Sequence, residues 1–419
     1  MTKPHKRRGL GAALTLAAAA ALAMATPMAA SATPAASATS AASAASAAPP
    51  CNISQQQVNS TARAHHADPL GGVIVATGTS TSTGGCHKPP PEPAFNGTPP
   101  LLFNGSQGAA DCVFQPCEDG NVMMTASTGP LVVVPIFWDP TAYPMTSAYQ
   151  NIITSYLGDV AKASGHTQNV FSVLNQYSGN NGQIHYNVQL GSVINDTNPL
   201  PASGCTLEPA DTSEIYADGS GYSACLDDAQ LQAEVETVIA ANGFPHNLTH
   251  IYVLYLPKHV ESCFNPGSTT STAGGQACTI NYQPTAAYCA YHSIDTNAAI
   301  YANLAYPIYA SPVGFTCGSD ARFPVLESPN GNPDADTEIS PSSHEISEAI
   351  TDPDTETGWY DSTGNEIGDD CAYIYGRTRG APGAYFNQVI KGGHFLTQEE
   401  FSNNLFASSG GTAGCLQSA

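Results

Sequence analysis

Ser340-Pro341-Ser342-Ser343-His344-Glu345-Ile346-Ser347-Glu348-Ala349-Ile350-Thr351-Asp352-Pro353 is the stretch on which the reading of this chain turns. Ser340 is a suitable N-cap and Pro341 a suitable first helical residue, while Pro353 disfavours helix beyond Asp352. The spacing therefore predicts a helix of about three turns. At ~100° per residue His344, Glu348 and Asp352 share an arc of roughly 80°, with Glu345 at its edge, and Ile346, Ala349 and Ile350 face elsewhere. An i, i+4 pair of this kind lets an imidazole nitrogen and a carboxylate oxygen reach one cation, and an adjacent Glu can take a proton from water held there. His344 and Glu348 are thus candidate metal ligands and Glu345 a candidate general base. The donors suit Zn2+, and the carboxylate in place of a second histidine leaves Ca2+ or Mn2+ open.

A third ligand is expected downstream, in the acidic run from Asp352 to Asp370. Glu366 is the preferred candidate, because the chain must first break at Pro353 and return; Asp352, Asp354 and Asp369 are alternatives. His292, His394 and Tyr360 are candidates for contacts to substrate or to a transition state, against the plainer reading of each as a hydrogen-bonded structural side chain. Nothing in the sequence points to an organic cofactor. No Gly-x-Ser-x-Gly elbow is present, and disulfide-bonded cysteines leave no thiol nucleophile.

Lys3, Lys6, Arg7 and Arg8 precede the apolar run Gly9–Met24 and the small residues Ala30-Ser31-Ala32. This predicts a signal peptide over residues 1–32 and a secreted, extracellular protein; the run is short and Ala-rich for a transmembrane anchor, and Arg7-Arg8 leaves the export route open. The leader carries four basic and no acidic residues, so its removal makes the formal charge of -22 more negative by four units. So acidic a chain repels phosphate backbones, which excludes nucleic acid as a partner. All 12 cysteines lie beyond the leader, and an even count in an exported chain reads as disulfides. Cys205 with Cys225, Cys263 with Cys278, and Cys371 with Cys415 are the pairs suggested by proximity or position.

Residues 33–50, almost wholly Ala, Ser, Thr and Pro, read as a disordered spacer. Residues 51–128 read as an irregular Cys/Pro/Gly-rich extension, either a stalk or a pro-region. The globular domain is expected over 129–419. Leu131 to Trp138 reads as a buried strand, Tyr149 to Val160 as an amphipathic helix, 168–177 as a short helix, Gln183 to Leu190 as an alternating strand, Leu231 to Ile239 as a helix closed by Gly243, and Ile251 to Leu256 as a strand. Cys- and Gly-rich loops follow, then a strand near Ile300 to Leu304 and the motif helix. The fold class is α+β (mixed α/β), disulfide-stabilised, with a mixed sheet and a metal-site helix.

Three strings, SHEISEAITDPD (343–354), GWYDSTGNEIGDDC (358–371) and FNQVIKGGHFLTQEEFSNN (386–404), resemble the carboxy-terminal block of the phosphate-induced (Exordium-like) secreted protein family in its bacterial branch. PIFWDP (135–140) and AYCAYHS (287–293) are similar to it too, so the resemblance spans roughly 130–415. It implies an extracellular or cell-wall-associated protein with a zincin-like domain, the His-Glu-x-x-Glu falling on His344, Glu345 and Glu348. The Glu-Ile-Gly-Asp element, similar to the downstream acidic element of gluzincin peptidases, falls on Glu366 and Asp369. Asp370 stands where the family has an apolar residue. The expected function is a secreted metal-dependent hydrolase, a zinc endopeptidase acting on extracellular protein, peptide or cell-wall material. The alternative is a non-catalytic cell-wall-associated or signalling protein with a structural metal site.

Overall fold

The computed structural model describes residues 71–75, 77–78, 92–105, 120–207, 212, 215–216, 218–264, 277–279, 288–308, 315–319, 322–323, 326–355 and 357–419. The expected leader and spacer lie outside the described residues, as do Cys51, Cys86, Cys112 and Cys117. Among the described residues no helix is long and apolar enough to cross a membrane.

A mixed sheet forms the centre. Its strands are β1 (Gly71–Val75), β2 (Leu131–Trp138), β3 (Val188–Leu190), β4 (Ile194–Asp196), β5 (His250–Tyr255), β6 (Tyr288–Ile294) and β7 (Ile300–Leu304). Across the sheet the order is β1-β6-β7-β5-β2-β3, and β4 extends the β3 side by pairing with the end of β2. The pairs β7-β5, β5-β2, β2-β3 and β2-β4 are parallel, and β1-β6 and β6-β7 are antiparallel. A parallel strand buried on both faces needs apolar side chains on both, which is why Leu131 to Trp138 and Ile251 to Tyr255 read as continuous apolar runs.

Three helices cover the sheet: α1 (Ser147–Lys162), α2 (Asp228–Asn242) and α3 (Pro333–Thr351). Thr146 caps α1 by accepting the Tyr149 N–H, and Tyr149, Ile153, Tyr156, Leu157 and Val160 form its buried stripe. Asp227 and Gln230 make a capping box on α2, and Gly243, at φ 66°, ends it as expected. Successive residues of a strand point to opposite faces, and β6 shows which helix lies where. The Tyr291 hydroxyl donates to Asp228 of α2, whereas the neighbouring His292 faces Glu345 of α3. α2 therefore lies on one face of the sheet and α3 on the other. α1 shares the α3 face, where Phe137 of β2 stacks on Tyr255 at 4.9 Å and meets Tyr149 edge-on. Each such fully buried aromatic contributes about 1.5–3 kcal/mol of transfer free energy.

Several expectations are corrected here. The motif helix starts two turns early, at Pro333 with Asn332 as its cap, so Ser340 is no cap and Pro341 lies inside the helix. Ser340 instead accepts the main-chain N–H of Gln398. The strand expected over Gln183 to Leu190 is paired in the sheet only from Val188, because Gly182 and Gln183 turn outward in a small hairpin with Ser178–Gly179. The helix over 168–177 is a 3-10 helix, Val170–Gln176. Part of the Cys-rich stretch taken as loop is β6, fully buried along its length. Gly71–Val75, from the extension, pairs antiparallel with it. The three anticipated disulfides are present, together with a fourth, Cys289–Cys317, which ties down β6.

Candidate metal centre

α3 carries His344, Glu345 and Glu348 into the space between sheet, loop and carboxy-terminal segment, and all three are fully buried. His344 Nε2 lies 3.0 Å from Glu348 Oε2, the i, i+4 pair, and 3.5 Å from Asp369 Oδ1. Glu345 Oε1 is 4.0 Å from the same nitrogen. His292 enters from β6: its Nδ1 is 3.5 Å from Glu345 Oε2 and 3.8 Å from Glu348 Oε2. The groups His344–Glu348–Asp369 and His292–Glu345–Glu348 each bring three ligand atoms close enough to hold a metal ion.

Each imidazole is oriented from behind. His292 Nε2 donates to the Asp352 carbonyl at the C-terminal end of α3, 3.1 Å away, which places the proton on Nε2 and leaves the Nδ1 lone pair facing the carboxylates. Burial pushes the His292 pKa down to about 3, so the ring stays neutral, the form that binds a metal. The Gln398 amide sits 2.8 Å from His344 Nδ1 and 2.7 Å from the Gly368 carbonyl, so that Nε2 is the vertex turned to Glu348 and Asp369. Burial opposes a charged His344, but Glu348, Glu345 and Asp369 outweigh it and hold its pKa well above the ordinary value.

Glu348 is fixed at one oxygen only. Its Oε1 accepts the N–H groups of Gly368 and Asp369, at 3.1 and 3.0 Å, and Oε2 is left for the histidines. That approach requires glycine at 368: a Cβ there would stand 2.6 Å from His344 Nδ1 and 2.9 Å from Glu348 Oε1. Asp369 Oδ2 accepts the Glu366 N–H, leaving Oδ1 for His344. Burial raises the pKa of Glu348, Glu366 and Asp369 alike, as expected for carboxyls that crowd together away from water.

The preferred third ligand, Glu366, is not in the His344 trio. Its Oε2 lies 3.9 Å from His292 Nε2, and its pKa is raised first by burial and then by the nearby Glu348 and Asp352. Asp369 completes the trio instead. Asp352 caps the helix end, its Oδ1 accepting the N–H groups of Thr357 and Gly358. Asp354 starts the following turn, where its carbonyl accepts from Thr357. Tyr360 sits in an outlying strand pair with Leu102–Phe103, where Asn104 donates to its hydroxyl. His394 is exposed and stacked on Phe386 at 4.0 Å. His292, expected to touch substrate or a transition state, lies with Glu345 and Glu348 in a group that could hold a metal ion.

Two further residues belong to the centre. Gln398 positions His344, and Glu400, fully buried, is pushed well above the usual carboxylate range by burial and is near enough to His344, Glu348 and Asp369 for their charges to act on it. Two adjacent acids, Glu399 and Glu400, between Phe395-Leu396 and Phe401 were the sequence signal for them. Asp370 is buried, with its carboxyl pushed up to about 9, first by burial and then by Asp361 and Asp369. Comparison of the chain with family models, with curated proteins and with solved structures gives no match.

Proposed function

We propose that this chain is a secreted metal-dependent hydrolase, a zinc endopeptidase with a zincin-like domain related to the phosphate-induced family, acting on extracellular protein or peptide. The observation that carries the reading is Glu345 beside the trio His344–Glu348–Asp369, with its oxygens 4.0 Å from His344 Nε2 and 3.5 Å from His292 Nδ1. The donor set, one imidazole and two carboxylates whose second oxygens are already hydrogen-bonded, is one that zinc accepts. When bound, the ion supplies Lewis acidity toward a scissile carbonyl and toward water. Glu345 is the residue that takes the water proton and returns it to the leaving amine. His292, neutral and fixed by Asp352, faces Glu345 from β6 and leaves its Nδ1 lone pair toward the same space.

A second reading, a non-catalytic cell-wall-associated or signalling protein with a structural metal, is favoured by burial: His292, His344, Glu345 and Glu348 present no surface to solvent. One experiment separates the two. Metal content is measured on the purified protein, and casein and peptide-library cleavage is followed with and without chelator for wild type and Glu345→Gln. A hydrolase retains its metal in Glu345→Gln and loses about 100-fold or more in kcat, the usual contribution of a general base. Metal-loaded protein with no cleavage in either form establishes the structural role, and equal, chelator-resistant cleavage removes Glu345 from the mechanism.

A further inference from the structure

We infer that the centre holds two cations: one on His344, Glu348 and Asp369, and a second, distinct one on His292, Glu345 and Glu348, with Glu348 shared between them. This rests on the metal-binding part of the reading above and adds to it the number of ions and the ligands of the second.

The ligand atoms divide into two trios that overlap at Glu348 alone. Because Glu348 Oε1 is taken by the Gly368 and Asp369 N–H groups, Oε2 is the atom both trios share, 3.0 Å from His344 Nε2 and 3.8 Å from His292 Nδ1. A single carboxylate oxygen placed between two imidazole nitrogens on different elements would serve an ion on either side.

His292 gives the independent observation. Its proton is on Nε2, committed to the Asp352 carbonyl, so Nδ1 presents a bare lone pair. That nitrogen is fully buried, has no hydrogen-bond partner, and faces the oxygens Glu345 Oε2 and Glu348 Oε2. Acceptor atoms turned toward one another away from water repel unless something positive lies among them. His344 Nε2 and both oxygens of Glu366 are likewise buried without hydrogen-bond partners. The carboxyls of Glu345, Glu348, Glu366, Asp369 and Glu400 all converge here, and the lysine ion pairs of the described residues, Lys162 with Asp159 and Lys258 with Asp218, lie elsewhere. A second cation of the same class, Zn2+ or Mn2+, is what the imidazole and two carboxylates would take. Glu345 would bind it through Oε2 and keep Oε1, on the His344 side, for the proton.

The test is metal stoichiometry of the full chain loaded with Zn2+ alone, by native mass spectrometry, together with electron paramagnetic resonance of the Mn2+-loaded protein. Two ions per chain are expected for wild type, and one each for His292→Ala and Asp369→Asn, with the cooperative unfolding of both variants checked by circular dichroism. The Mn2+-loaded wild type should show an exchange-coupled pair, and His292→Ala the six-line signal of an isolated ion. The wild-type spectrum needs no variant, so it decides the matter even where a variant misfolds. One ion per chain, with an uncoupled Mn2+ signal, overturns the two-ion proposal and leaves the mononuclear reading standing. No bound ion at all sinks that reading along with it.

Discussion

The two faces of β6 each bury carboxylates, and they treat them in opposite ways. On the α2 face, Asp228 receives the Tyr291 and Tyr301 hydroxyls at 2.6 and 2.7 Å and the Gln232 amide at 2.8 Å. On the α3 face, one residue along the same strand, His292 Nδ1 and Glu348 Oε2 meet with no hydrogen between them. Leaving a polar group buried without a partner costs about 1–3 kcal/mol, and more when it is charged. A carboxylate that serves only the fold is surrounded by donors, as Asp228 is. Carboxylates and imidazoles that are surrounded by one another form groups that could hold a metal ion.

Chelation should break the contrast most severely. If cations satisfy the α3 face, metal removal should lower stability by about 4 kcal/mol, the linkage expected for a ligand present at ~1,000 times its dissociation constant, and should lower the calorimetric Tm accordingly. An unchanged Tm in a protein that did release metal would show that the carboxyls satisfy themselves by sharing protons.

Replacing Cys289 and Cys317 together by Ser should harm both faces, since the disulfide closes a separation of 28 residues at the strand they share. Loop-closure entropy puts the loss at roughly 3.5 kcal/mol, read from the urea midpoint. A loss confined to metal affinity, with stability intact, would mean that β6 is held by its neighbours alone.

Asp228→Ala tests the other side of the contrast. It strands two buried hydroxyls, so stability should fall by about 3 kcal/mol while metal stoichiometry stays as in wild type. A parallel loss of metal would mean that the faces are coupled through the strand.

The smallest effect is in pH dependence. Burial holds the Asp228 pKa above its ordinary 3.8, and the three hydrogen bonds only partly offset this. A raised carboxyl binds its proton more tightly in the folded state, so its contribution is fully present below about pH 3.8 and is lost as pH rises through the folded value. Urea midpoints of wild type relative to Asp228→Asn should therefore fall with rising pH over that window; a flat difference would mean that Asp228 has the same pKa folded and unfolded.

Much of this was legible in the sequence where one face of an element is wet. The stripe of α1, the Gly243 stop of α2 and three of the disulfides follow from local pattern and spacing. α3 misled because it is buried all round: Ala335 and Ile339 alternate with buried Asp336, Thr337 and Glu338, which leaves no stripe to mark its first two turns. Asn332-Pro333 and Ser340-Pro341 are equivalent start signals, and only packing chooses the first. β6 was missed for the related reason that Tyr288 to Ile294 is buried on both faces and shows no alternation. His344, Glu345 and Glu348 were legible because helical period places them. Asp369 rather than Glu366 in the trio, and His292 and Gln398 beside it, depend on how distant segments meet, which spacing does not encode.

Gln398 gives the centre a timetable. The residues that define it are drawn from positions 292, 344–348, 366–369, 398 and 400, and the amide that aims His344 comes from the late carboxy-terminal segment. A nascent or truncated polypeptide ending before Gln398 would contain every candidate ligand yet leave the His344 ring free to turn, so any secure metal uptake would wait for the carboxy-terminal segment to dock. If the centre binds cations, metal retention would double as a check on completeness: a chain that held metal would have closed its last turn, and one that shed it would not.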